Sequence, residues 1–132
     1  MISFDELFFC EKVILNRDGS PREFINRFKT IFADSFPYLF GFSIVSNIIF
    51  SQPFRHVLTI RIRGKEDQDI FEGARQHIQG NTLPHFNSKL QLLSTLENVE
   101  FPNAGDYTLY SLFDDIVVHH GILSLTKKME MT

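Results

Sequence analysis

Alternation with a period of two dominates the chain. Across residues 57–63, Leu58, Ile60 and Ile62 fall on one face and Thr59, Arg61 and Arg63 on the other. That pattern predicts a half-buried antiparallel strand. Residues 7–15 form a β-rich run ending at Asn16-Arg17-Asp18-Gly19, a turn sequence. A second strand is expected over 23–32, stopping near Ser35-Phe36-Pro37 because proline offers no amide to a ladder. A third, rich in Phe and Ile, spans 39–50 and is broken by Gln52-Pro53.

The strand over 57–63 closes at Gly64-Lys65-Glu66-Asp67. Gly73 and Ala74 dilute the β-propensity of 70–78, so a weak edge strand and a short helix both fit there. Residues 80–85, with Pro84, form the one extended loop, and a strand over 90–101 places Leu90, Leu92 and Leu96 on one face, with Val99 continuing the pattern. Two β-rich runs, 107–113 and 116–125, are separated by Asp114-Asp115, residues that tolerate the left-handed turn conformation. Eight or so short strands at regular spacing predict one antiparallel β-sandwich or barrel. Leu58, Ile60, Ile62, Leu92, Leu109 and Leu123 are its expected core.

Composition narrows the picture. The 132 residues suit a single domain, and 43% of them are hydrophobic, including 15 Phe but no Trp and only 3 Tyr. Phenylalanine carries no polar handle, so this bias favours packing over surface recognition. Net charge is −3, and the densest cationic stretch, residues 55–65, interleaves its charges with aliphatic residues. A nucleic-acid partner is not expected without a basic stripe. The apolar stretches fall short of a membrane span, the first residues lack a signal-peptide layout, and Cys10 has no partner for a disulfide. A reducing cytoplasm is the expected compartment.

One motif carries a resemblance. In Phe101-Pro102-Asn103-Ala104-Gly105-Asp106-Tyr107, the spacing of Pro102, Gly105 and Tyr107 resembles the tyrosine corner of immunoglobulin-like domains. With Thr30-Ile31-Phe32, Ala33-Asp34-Ser35-Phe36-Pro37, and Glu11-Lys12-Val13-Ile14 shortly before Asp18-Gly19, the chain resembles a family of small single-domain bacterial proteins of unknown function with an Ig-like β-sandwich fold. The likeness departs at Asp114-Asp115, where Asp-Gly is more usual, and in the middle of the chain from Asp67 to Phe86. It implies an Ig-like antiparallel sandwich of seven to nine strands and supplies no activity.

Candidate chemistry is sparse. His119 and His120 are adjacent, so a strand points them to opposite faces, and His77 with His85 lacks zinc-ligand spacing. Asp67, Asp69, Asp114 and Asp115 place carboxylates on two different hairpins, where calcium would need them to converge. Gly64, Gly73 and Gly80 make no phosphate-binding pattern, and no nucleophile elbow accompanies Cys10 or any serine. Neither an enzyme nor a cofactor or metal site is expected. Without Trp, a sugar platform would rest on Tyr38, Tyr107 and Tyr110 alone.

The leading expectation is a non-enzymatic protein-interaction module that binds a protein partner or itself, with Phe36, Phe40, Phe42 and Phe71 as interface candidates. The alternatives are a sandwich that binds calcium or a small polar molecule through its loops, and a structural component of a bacterial or phage particle.

Overall fold

The computed structural model describes residues 2–81 and 87–129. Among the described residues nine strands follow one another: β1 (Ile2–Leu15), β2 (Pro21–Phe28), β3 (Thr30–Ala33), β4 (Tyr38–Phe50), β5 (Phe54–Arg63), β6 (Asp69–Gly80), β7 (Ser88–Phe101), β8 (Gly105–Phe113) and β9 (Ile116–Lys127). A 3-10 turn, Lys65–Asp67, interrupts them. The strands form a four-stranded sheet, β2-β1-β4-β7, and a five-stranded sheet, β3-β9-β8-β5-β6. Pro84 and His85 lie outside the described residues.

Period-two patterning on β5 becomes burial as expected. Leu58, Ile60 and Ile62 are at most 1% exposed, and Leu92, Leu109 and Leu123 are buried with them. The core is nonetheless divided in two. Ile60, Ile62, Leu109 and Leu123 belong to a larger cluster around Phe42 and Phe101. Leu58 and Leu92 belong to a smaller one with Ile48, Ile78 and Phe113. A polar link also crosses from sheet to sheet: His119 Nδ1 lies 3.2 Å from Ser46 Oγ, joining β9 to β4.

The apolar run over 23–32 is not one strand. It divides at Lys29, whose carbonyl accepts the Ser124 amide at 2.9 Å and so brings the chain onto the other sheet. β2 pairs antiparallel with β1, whereas β3 runs parallel to β9, with Thr30 opposite Ser124. Such a crossing depends on a partner some ninety positions downstream, which local patterning cannot reveal. Residues 70–78 resolve as strand, not helix: β6 is an edge strand paired with β5.

Bulges explain where the period of two slips. Between the Phe40–Val99 and Phe42–Leu96 pairs, β7 carries one residue more than β4. Asn98 there has φ of +53°. The extra residue reverses the side-chain parity, so Leu92 and Leu96 before it and Val99 and Phe101 after it are all buried. β6 repeats the device opposite Leu58 and Ile60, with Ala74 at φ +55°. At the final hairpin, Asp114 and Asp115 have φ of +52° and +69° between the paired residues Phe113 and Ile116. Two successive positive φ values define the type I′ hairpin turn.

Candidate functional site

Residues singled out in the sequence come to different ends. Tyr107 is 4% exposed, and its hydroxyl donates to the Asn103 carbonyl at 2.6 Å. Gly105, at φ +133°, forms the corner that turns the chain into β8, a conformation L side chains rarely adopt. Pro102 is exposed beside it. This constellation is structural: it ties the β7–β8 connection to the start of a core strand.

The four phenylalanines proposed as interface residues are part of the core. Phe42 is 1% exposed inside the larger cluster, and Phe36, Phe40 and Phe71 pack half-buried against it. Phe28, Phe40 and Phe42 continue the aromatic packing, with Phe28 and Phe40 centroids 5.6 Å apart and Phe40 and Phe42 5.8 Å apart. Abundant Phe therefore fills the space between the sheets. The large apolar side chains that do face solvent are others, among them Phe32, Leu39, Ile116, Val117 and Ile122.

Each acidic pair has local work. Asp69 meets Arg63 Nε at 2.8 Å and Arg61 Nε at 3.7 Å, while Glu72 approaches Arg61 Nε at 3.5 Å. Asp114 accepts the Val57 amide at 2.9 Å through Oδ1 and lies 2.6 Å from His56 Nδ1 through Oδ2. The Val57 hydrogen bond, and secondly the His56 contact, hold the Asp114 carboxyl below the usual carboxylate range. Among the described residues, no group of three or more His, Cys, Asp or Glu converges as a metal site would require. His119 and His120 do point to opposite faces: His119 reaches Ser46 between the sheets, and His120 packs near Tyr110 outside, ring centroids 6.2 Å apart. Burial pushes the Cys10 thiol up from its ordinary value.

One feature escaped the sequence reading because it depends on which strands become edges. β3 pairs with β9 only over residues 124–127. Among the described residues, 116–123 of β9 have no partner on that side. The Ser124 amide donates to the Lys29 carbonyl, and the Lys128 amide donates to Ala33. Backbone groups of alternate residues point to the same side of a strand, so those of Ile122 and His120 face the open edge.

A groove of about 590 Å³ runs beside this open stretch. Leu7, Phe9, Phe28 and Gly121 line it, with Arg27 and Lys29 among its polar lining residues. A Cβ at Gly121 would lie 2.7 Å from Leu7 Cδ2, so the end of the Leu7 side chain would have to shift. The Arg27 guanidinium sits 3.7 Å above the Phe8 ring and 2.6 Å from Glu6.

The β2 and β6 edges are blunted. β2 begins with Pro21 and carries Arg22, Glu23 and Arg27, while β6 is bulged and binds across to the other sheet through Gln76, whose amide donates to the Leu93 carbonyl at 3.0 Å. Charges, proline and bulges are the usual defences of an edge strand. The stretch Ile116-Val117-Val118-His119-His120-Gly121-Ile122 contains no Lys, Arg, Asp, Glu or Pro.

Among the described residues, no helix is long and apolar enough to cross a membrane. No curated protein matches the chain. A family model described as a family of unknown function (DUF6941) matches residues 7–124, and the chain belongs to that family.

Proposed function

We propose that this protein is a non-enzymatic interaction module that takes up an extended segment of a protein partner along the open edge of β9. The observation that carries this reading is the unpaired stretch 116–123, whose Ile122 and His120 backbone groups face outward beside an apolar groove. A strand added there gains main-chain hydrogen bonds, and its alternate side chains supply selectivity. The incoming residue opposite Gly121 shares that residue's inward face and reaches Leu7 and Phe28. Its neighbours meet Lys29, which favours an acidic residue at that end of the groove, whereas Arg27 is already paired with Glu6.

Other features support the accompanying expectations. Arg61 and Arg63, two of the four cations in the densest basic stretch, lie against Asp69 and Glu72, which favours a protein over a nucleic-acid partner. The parallel β3–β9 pair, the order β9-β8-β5-β6, and a tyrosine corner leading into β8 support an Ig-like topology, with β2 as an addition. The resemblance read in the sequence supports a bacterial origin, and the buried free thiol of Cys10 suits a reducing cytoplasm.

The test combines affinity capture from the native host with light scattering, so that both a separate partner and self-pairing are read. His120→Pro removes an outward amide without touching the β8 ladder, and Ile122→Lys places a charge on the edge. Both variants should lose the captured partner or the dimer, while Arg75→Ala, on β6 at the opposite edge of that sheet, retains it. In the complex, the amides of residues 120 and 122 should exchange more slowly than in the free chain. A complex that survives both edge variants, or a strict monomer that captures nothing, overturns the reading.

A further inference from the structure

At the other end of β5 from the tyrosine corner, the smaller core cluster opens to solvent through a pocket of about 450 Å³. Small-molecule sites typically fall within about 300–1,000 Å³, with apolar walls and a few placed polar groups. Phe4, Phe54, Phe113 and Val118 supply the apolar wall, and Gln52 and His56 the polar groups.

His56 is held from several directions. Its ring stacks on Phe54, centroids 5.6 Å apart at 23°, and on Phe113, 5.2 Å apart at 22°. Its Nδ1 lies 2.6 Å from Asp114 Oδ2. Asp114 is itself fixed, because Oδ1 accepts the Val57 amide at 2.9 Å and its own amide donates to the Val57 carbonyl at 3.0 Å. In its neutral form the ring carries its one proton on Nδ1, where the Asp114 carboxylate accepts it. Nε2 is then a lone-pair acceptor, and among the described residues it has no hydrogen-bond donor.

We propose that this pocket binds a small, planar, largely apolar molecule carrying one hydroxyl donor, a phenol being the simplest case, with the ring against Phe54 and Phe113 and the O–H donating to His56 Nε2. The Gln52 amide is placed to meet a second polar substituent. Its lining differs from that of the β9 groove and shares with the open edge only Ile116 and Val118, so His56→Phe tests it independently of the strand-pairing role.

The probes are p-cresol and toluene, which differ by the hydroxyl alone. Titrated into the labelled protein and followed by NMR, p-cresol should shift the His56 ring and the amides of Phe113 and Val118. It should bind about two- to tenfold more tightly than toluene, the ratio that one hydrogen bond of ordinary strength supplies. His56→Phe keeps a flat ring in the stack and should abolish that preference while leaving toluene binding in place. Val118→Phe fills the pocket and should weaken both probes. Equal binding of the two probes, a preference that persists in His56→Phe, or no shift at millimolar p-cresol overturns the proposal.

Discussion

The Tyr107 hydroxyl donates to the Asn103 carbonyl at 2.6 Å and accepts the Asn103 amide at 3.2 Å, so one side chain satisfies both backbone groups of a residue four positions upstream. Its ring packs edge-on to Phe101, centroids 5.1 Å apart, and lies against Gly64. Tyr107→Phe keeps the ring and leaves both Asn103 groups without this partner. It should cost about 1–2 kcal/mol, read as a shift in urea midpoint at constant m-value. Unchanged stability would mean the hydroxyl contributes nothing net.

Truncation of the β5 core residues has a larger effect. Leu58→Ala, Ile60→Ala and Ile62→Ala each remove a fully buried aliphatic group and should each cost about 2–5 kcal/mol. Ile60 and Ile62 share one cluster, so their double variant should depart from additivity, whereas Leu58 with Ile62, in separate clusters, should come closer to it. Thermal or denaturant unfolding of the singles and doubles measures both effects.

Asp115 holds φ of +69° in the final hairpin without a cap like that of Asp114. Glycine adopts this conformation without the Cβ penalty, so Asp115→Gly should stabilise the protein by about 0.5–1 kcal/mol. Asp114→Gly should destabilise it despite the same backbone relief, because the Val57 amide and His56 lose their acceptor. Opposite signs from adjacent substitutions, compared by thermal melting, would separate turn conformation from capping.

His119 makes stability depend on pH. Burial between the sheets, and secondly the nearby His120 charge, push its pKa below 6.5. The unfolded chain therefore takes up a proton before the folded one does. This contribution is present in full above 6.5, shrinks as pH falls below that value, and is gone once pH has fallen through the folded pKa. His119→Gln retains a hydrogen-bonding group for Ser46 but cannot titrate, so its stability should fall less steeply than wild type between about pH 7 and pH 5. Parallel slopes in urea titrations would remove His119 as the cause.

Features set by neighbouring residues were legible in the chain itself. The alternation over 57–63 marked both the strand and its buried face, because a pleated strand sends successive side chains to opposite sides. Asp114-Asp115 marked a two-residue turn, because aspartate tolerates positive φ, and the Pro102–Gly105–Tyr107 spacing marked a corner whose hydrogen bonds span four residues. Features set by distant pairing were decided only in the tertiary structure. The run over 23–32 divides at Lys29 because Ser124, far downstream, takes its carbonyl. The surplus phenylalanines proved to be packing because two sheets face each other across them. The open edge of β9 and the His56 pocket belong to this second kind, since they exist only where β3 stops short and where β1, β5 and β9 meet.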